Sequence, residues 1–221
     1  MAGRIRLWDA PVRLFHWTLA GLVVFSFVTG KLGGSWMQWH VRSGYFILVL
    51  LLFRLAWGLA GSDTARFSRF VRGPRAAAEY ARAIWARRAP SVVGHNPLGG
   101  WMVVLMLAAL LLQAATGLFA DDDIATQGPL AAKVTNTTVA RMTAIHNWNA
   151  WVIVSTAALH VLAIAIYQWG LKVNVLGPMV HGGVLPDGHG ARRGSNALAA
   201  VLFVLACAAV YYLVVIYPRT P

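Results

Sequence analysis

The sequence has few charged residues, and acidic ones are especially rare. Only 12% of its 221 residues are Asp, Glu, Lys or Arg, and only seven are acidic. A soluble domain carries about 25% charged residues. Hydrophobic residues make up 58% of the chain, and the mean hydropathy is +0.61. This deficit of charge excludes an ordinary soluble domain and predicts an integral membrane protein.

Cysteine is nearly absent as well. Cys207 is the single cysteine, which excludes an internal disulfide, and there is no C-x-x-C-H motif for covalent haem attachment. The sequence also lacks G-x-G-x-x-G, the Walker A motif and a flavin fingerprint.

Long apolar runs are what the sequence has in quantity. Five are long enough to span a membrane, which takes about 20 mostly apolar residues; they cover residues 11–30, 37–60, 98–120, 143–169 and 196–217. Segments rich in Gly and Pro separate them. The first run follows Arg4 and Arg6 but has no clean A-x-A cleavage site, so we expect a retained span rather than a signal peptide. The predicted fold class is all-α, with one membrane domain over residues 1–221.

The distribution of Lys and Arg predicts the orientation of the spans. Fourteen of the 19 basic residues fall on one side, namely Arg4, Arg6, Arg13, Arg54, Arg66, Arg69, Arg72, Arg75, Arg82, Arg87, Arg88, Lys172, Arg192 and Arg193. The other side has Lys31, Arg42, Lys133, Arg141 and Arg219. We therefore expect a cytoplasmic N-terminus and a C-terminus on the outer side, so the net charge of +12 reflects topology rather than nucleic-acid binding. Residues 66–88 are interpreted as a basic amphipathic helix on the inner leaflet.

Four of the seven histidines, His16, His40, His146 and His160, fall within the apolar runs. Ionisable side chains are costly in a bilayer and mark functional sites. His146 and His160 are fourteen residues apart, which places them about 21 Å apart along a helix and within about 40° of the same face. From the predicted orientation, His146 and His40 share the outer depth, and His160 and His16 share the inner depth. The pattern predicts two sites stacked across the membrane, each between two imidazoles.

Two b-type haems, each with two axial histidines, explain this pattern best. Zinc usually takes four ligands at one depth, and a proton relay would need carboxylates within the spans. Histidines that only pack between helices are a further alternative. Iron with both axial positions filled by histidine transfers electrons rather than binding oxygen.

Three further residues are candidates for the haem sites. Gly30 and Arg54 lie fourteen residues after His16 and His40. Gly30 would let the outer haem approach the backbone, and Arg54 would pair a propionate of the inner haem. The alternatives are a glycine at a helix end and an arginine of the inner surface. Gly44, one turn after His40, would admit a haem edge. His95, His181 and His189 are interpreted as solvated loop residues.

Several stretches resemble the prokaryotic cytochrome b561 family, which includes the b-type cytochrome subunits of nickel–iron hydrogenases. They are "RLWDAPVRLFHWTLAGLVVFSFVTG", "WMQWHVRSGYFILVLLLFRLAWGLAGS", "GHNPLGG" and "IHNWNAWVIVSTAALHV". The likeness covers about residues 6–179. It implies a four-helix transmembrane bundle that holds two haems on His16, His40, His146 and His160 and exchanges electrons with quinone. The fifth helix, over about residues 196–217, is additional to the simplest members.

The expected function is that of a dihaem cytochrome of the bacterial inner membrane. It would carry electrons between the quinone pool and a periplasmic partner, either a c-type cytochrome or a hydrogenase-like enzyme. Asp121, Asp122 and Asp123 either dock a basic partner there or form a solvated loop. One alternative is a quinone-linked oxidoreductase acting directly on a small oxidant such as superoxide. Another is a haem-bearing anchor that only recruits a partner.

Overall fold

A computed structural model describes residues 7–86, 88, 94–184, 192 and 194–220 of the chain. Several residues used in the sequence argument lie outside the described residues, namely Arg4, Arg6, Arg87, Arg193 and His189. The described part is helical, apart from turns, loops and an isolated β-bridge between Asp121 and Gln127.

Five long helices form the frame. They are α1 (Ala10–Leu32), α2 (Met37–Ala60), α5 (Pro97–Gly117), α6 (Asn136–Ala165) and α8 (Asn196–Tyr211). Three short helices are α3 (Phe67–Phe70), α4 (Pro74–Trp85) and α7 (Leu176–His181). One wide π turn over Ile166–Gly170 extends α6, and another over Tyr212–Ile216 extends α8. In the part of the chain that the structure describes, five helices are long and apolar enough to cross a membrane. The chain is therefore a multi-pass membrane protein, with its long helices where the apolar runs predicted them.

Two helix ends differ from their predicted positions. The helix α6 begins at Asn136, seven residues before the predicted start, because Thr135 caps it: its Oγ1 accepts the Thr138 amide at 3.3 Å. A capping hydroxyl satisfies an amide that the first helical turn leaves without a partner, so a polar stretch starts this helix. The helix α5 ends at Gly117 rather than residue 120, since Leu118 and Ala120 pair instead with the chain at Leu130 and Gly128.

The basic stretch between the second and third spans forms two helices, α3 and α4, rather than the one predicted. Pro74 is the first residue of α4, a position that tolerates its missing amide, and the chain before it is extended. Ala77 and Tyr80 are buried, while Trp85 is 92% exposed. Burial, with the Tyr167 hydrogen bond as a second cause, raises the pKa of Tyr80 to about 12, so its hydroxyl stays protonated opposite Tyr167.

The chain divides into two compact units, and the division falls within each of the five long helices. The first contains the described residues of segments 1–14, 54–106 and 156–199, and the second those of segments 15–53, 107–155 and 200–221. Both are built from pieces distant in sequence.

Asp9 organises the first unit. One of its carboxylate oxygens caps α1 by accepting the Val12 amide at 2.8 Å. The other accepts hydrogen bonds from the indole of Trp57 at 3.0 Å and the hydroxyl of Ser62 at 2.5 Å. Trp57 is fully buried. Asp9 therefore ties the beginning of α1 to the end of α2.

In the second unit, α8 packs on α2. The ring of Phe203 lies 6.4 Å from that of Phe46 and 6.1 Å from that of Phe53, both edge-on. Ala206 and Val210 are buried on the same helix, whereas Val204 and Leu205 are 64% and 59% exposed. Large apolar side chains that face outward suit a lipid environment, so α8 is a packed helix with a lipid-facing side.

Candidate functional site

Two of the four predicted histidines meet in the second unit. The rings of His40, on α2, and His146, on α6, have centroids 6.0 Å apart and planes at 86°. Both side chains are half-buried. The two residues are the predicted outer pair, and their placement on the outer side and their role as ligands stay predictions.

The hydrogen bonds of this pair define which ring nitrogens are available. The Nδ1 atom of His40 lies 2.8 Å from the carbonyl oxygen of Ser26, and Nδ1 of His146 lies 3.0 Å from that of Gln113. A carbonyl oxygen can only accept, so each Nδ1 carries the hydrogen. In the neutral imidazole Nε2 then keeps its lone pair, which is the form of histidine that binds a metal.

The spacing of the rings fits a shared metal ion. A metal–imidazole bond is about 2 Å long, and the ring centroid lies a further ~1 Å from the nitrogen, so two imidazoles on one ion have centroids up to roughly 6 Å apart. Among the described residues, no three His, Cys, Asp or Glu side chains group closely enough to hold a metal ion. An ion between His40 and His146 would take its remaining ligands from another molecule, as haem iron does from its porphyrin.

A glycine lies against each of the two imidazoles. A Cβ atom on Gly30 would stand 2.7 Å from Nδ1 of His40, and one on Gly117 would stand 2.9 Å from Cε1 of His146. Gly30 was predicted to admit the outer haem, and in the structure it makes room for the His40 ring. Gly117 is not among the residues predicted from the sequence, although both glycines follow a threonine near the end of a long helix. A Cβ on Gly44 would meet no atom within 4 Å, and its contact with a haem edge stays a prediction.

A buried amide pair supports His146 from the next turn of its helix. Asn149, only 2% exposed, donates to the Ala109 carbonyl at 2.9 Å and to the Gln113 side chain at 2.8 Å. Both acceptors belong to α5. Because Gln113 also supplies the carbonyl that accepts from His146, this pair fixes the register between α5 and α6 at the site.

His16 and His160 fall in different compact units, so their pairing stays a prediction. Both are half-buried and lie on continuous helices, α1 and α6. His16 lies edge-on to its neighbour Trp17 at 4.9 Å.

Arg54 is buried in the first unit, with 3% exposure. Its Nη2 donates to the Ala65 carbonyl at 3.2 Å, and its guanidinium lies 4.7 Å from the ring centroid of Phe67. Its Nη1 is buried without a hydrogen-bond partner among the described residues. A buried cation with an unused donor is costly and fits an anionic group such as a carboxylate.

Other predicted loop residues have structural roles. His95 is half-buried rather than solvated, since its ring lies 4.7 Å from Trp8 and 4.4 Å from Phe70. His181 is exposed at the end of α7. Asp122 accepts the amides of Ile124, Ala125 and Thr126 with one carboxylate oxygen, so it shapes the loop.

The other two carboxylates of the triplet line a cavity of about 760 Å³. Asp121 and Asp123 line it together with Asn136, Thr143 and Asn147 of α6. Asn147 directly follows His146. The cavity is therefore a polar, acidic recess beside the helix that carries one histidine of the outer pair.

Comparison with known proteins gives one match. The family model of prokaryotic cytochrome b561 matches residues 7–182, which leaves α8 beyond it. No curated protein and no solved structure matches the chain.

Proposed function

Since the chain belongs to the prokaryotic cytochrome b561 family, we propose that it is a dihaem cytochrome carrying electrons between membrane quinone and a redox partner at the periplasmic face. Family membership implies a membrane cytochrome that binds b-type haem and takes part in electron transfer. The number of haems, their ligands, the quinone and the partner are the proposal.

The outer pair carries this proposal. His40 and His146 have their ring centroids 6.0 Å apart, and each Nδ1 donates to a backbone carbonyl. Nε2 of His40 and Nε2 of His146 would hold one haem iron and leave no position on it for oxygen. When bound, haem supplies a one-electron redox couple. The chain's contribution is to fix both ligands and to exclude water with apolar helices.

The second haem is proposed between His16 and His160. Its support is the sequence, in which His146 and His160 are fourteen residues apart, a spacing that on one helix corresponds to about 21 Å on nearly one face. Arg54 is proposed to hold a propionate of this inner haem, because its buried Nη1 has no hydrogen-bond partner among the described residues.

Haem content tests the ligand assignment. A pyridine haemochrome assay should give two haems per purified chain, both low-spin and extractable with acid and acetone. His40→Ala and His146→Ala should each lose one haem, and His16→Ala and His160→Ala should each lose the other. His181→Ala is the matched control, since this exposed residue should leave both haems in place. One haem per chain, or a high-spin spectrum, contradicts the proposal.

A redox partner with a basic surface is proposed to dock over the acidic cavity. Asp121 and Asp123 line it, and their charge attracts a basic c-type cytochrome or hydrogenase-like partner while repelling an anionic oxidant such as superoxide. The cavity therefore favours protein-mediated transfer over the direct reaction with superoxide.

Stopped-flow kinetics separate these functions. Quinol should reduce both haems, and a basic c-type cytochrome should reoxidise them at a rate that falls with ionic strength and in Asp121→Asn plus Asp123→Asn. If superoxide alone exchanges electrons rapidly with the haems, the direct oxidoreductase is supported instead. If quinol does not react, only the anchor function remains.

A further inference from the structure

The outer pair is held by the same local structure twice. The segments Ser26–Gly30 and Gln113–Gly117, "SFVTG" and "QAATG", each end in Thr-Gly near the end of a long helix. The threonines, Thr29 and Thr116, are 1% and 3% exposed. We call each segment a Thr-Gly notch. Its glycine leaves room for an imidazole, and the carbonyl of its first residue accepts a hydrogen bond from that imidazole.

Each threonine hydroxyl shares its one hydrogen between the carbonyl four residues earlier, which is the nearer acceptor, and the carbonyl that binds the histidine. Thr29 Oγ1 lies 2.8 Å from the Phe25 oxygen and 3.1 Å from the Ser26 oxygen. Thr116 Oγ1 lies 2.7 Å from the Leu112 oxygen and 3.1 Å from the Gln113 oxygen. The Ser26 and Gln113 oxygens are the ones that accept Nδ1 of His40 and His146.

Each of these two carbonyls has three hydrogen-bond donors near it, of which the imidazole Nδ1 and the threonine hydroxyl are two. In an α-helix the amide four residues later, here that of Gly30 or Gly117, also donates to it. A carbonyl oxygen has two lone pairs, so the imidazole shares them with the helix amide and the threonine hydroxyl. The threonine hydroxyl therefore weakens the hydrogen bond from Nδ1 to the carbonyl.

We propose that Thr29 and Thr116 tune the reduction potential of the outer haem through these carbonyls. They are positioning residues, which act on the iron through His40 and His146. A stronger Nδ1 hydrogen bond makes an imidazole a more basic ligand, and a more basic ligand stabilises oxidised iron and lowers the potential. The hydroxyls limit this effect and hold the outer haem at a higher potential. The inference rests on the proposed ligation of one haem by His40 and His146.

Valine tests the proposal, because it keeps the shape of threonine without the hydroxyl. The outer transition in a redox titration is identified as the one that disappears in His40→Ala. Thr29→Val should shift this transition to lower potential and leave the other unmoved. Thr116→Val should shift it in the same direction but less, because its hydroxyl also lies 3.4 Å from Nδ1 of His146. The double variant should shift it by about the sum, since the two act on opposite ligands.

Two controls separate tuning from packing. Thr29→Ser and Thr116→Ser should restore the wild-type potential, because serine returns the hydroxyl. Thr220→Val removes a hydroxyl that donates to the Tyr217 carbonyl at 2.7 Å, a carbonyl in neither notch, and should leave both transitions in place. Threonine often bonds its own helix in this way, and a hydroxyl with only that role would move no potential.

The outcomes distinguish this inference from the function on which it rests. If His40→Ala and His146→Ala keep both haems, the ligand assignment fails. If they each lose one haem but neither valine variant lowers the outer potential, the tuning role alone is overturned. If both valine variants lose the outer haem while the serine variants keep the wild-type potential, the tuning role is also overturned. Thr29 and Thr116 would then only pack at the site.

Discussion

Two glycines determine how closely the outer imidazoles approach the neighbouring helices. A Cβ on Gly30 or Gly117 would stand 2.7 Å or 2.9 Å from an imidazole atom, closer than carbon packs against a ring, so the ring must move. His40 and His146 would then lose the hydrogen bonds that orient them. The approach of ring to backbone is possible because glycine has no side chain.

We predict that Gly30→Ala and Gly117→Ala each distort or expel one haem and leave the other intact, with Gly30→Leu more severe. The measurement is haem content together with redox titration. Gly21→Ala is the matched control, because its Cβ would meet no atom within 4 Å and alanine favours the helix by up to about 1 kcal/mol. Two unshifted transitions in both site variants would mean that these glycines only end helices.

Arg54 is the second residue whose proposed role can be tested by a single substitution. We predict that Arg54→Gln lowers the potential of the transition that disappears in His16→Ala, because a nearby positive charge favours the electron-rich reduced state. Redox titration measures the shift. Arg66→Gln is the control, since Arg66 donates to the Gly61 carbonyl and pairs with Asp63. An unchanged inner transition, or a shift of the outer one, would contradict the propionate role.

At the scale of elements, the loop between α5 and α6 is shaped by one carboxylate. The amides of Thr126, Ala125 and Ile124 hold the pKa of Asp122 at about 2, below its usual 3.8. A folded-state pKa below the unfolded value means that the ionised carboxylate stabilises the loop. This stabilisation is full above about pH 4 and is lost as the pH falls through about 2.

We predict that amide hydrogen exchange in this loop stays slow from neutral pH to about pH 4, relative to intrinsic rates, and loses its protection near pH 2. Asp122→Ala should remove the protection at every pH, since all three amides lose their acceptor. Asp123→Asn should change little, because the exposed Asp123 does not accept these amides. Protection in Asp122→Ala equal to that of the wild type would show that the loop is held by other contacts.

Helices were more predictable than the contacts between them. The five spans follow from apolar length alone, and α6 was placed late only because a threonine cap starts it in polar sequence. The break at Pro74 between α3 and α4 was readable from the sequence but was treated as part of one helix. In contrast, Gly117 and Gln113 reach the site through the packing of α5 on α6, and no spacing within one helix predicts that packing.

At the scale of the whole molecule, the fourteen-residue spacing and the family resemblance predict four histidine ligands from the sequence, and the structure brings His40 and His146 together with their ring centroids 6.0 Å apart. The sequence showed no repeat, yet "SFVTG" and "QAATG" hold equivalent histidines of the helices that follow them. Two residues in five are too short a likeness to find in sequence, and only the shared hydrogen bonds make the equivalence visible. The pairing of His16 with His160 and the single domain stay predictions.

The orientation of the chain decides which site faces which compartment. The 14-to-5 division of Lys and Arg predicts that the loops after α2 and α6 are cytoplasmic and that the loop at Asp123 and the segment after α8 are periplasmic. Fusions of a reporter that is active only outside the cytoplasm should be active after Asp123 and Thr220 and inactive after Arg66 and Arg192. The complementary cytoplasmic reporter should give the reverse pattern, which serves as the control. Activity after Arg66 but not after Asp123 would invert the molecule and put the His40–His146 pair on the cytoplasmic side. Equal results after Arg192 and Thr220 would mean that α8 does not cross the membrane, although its packing against Phe46 and Phe53 would be unaffected.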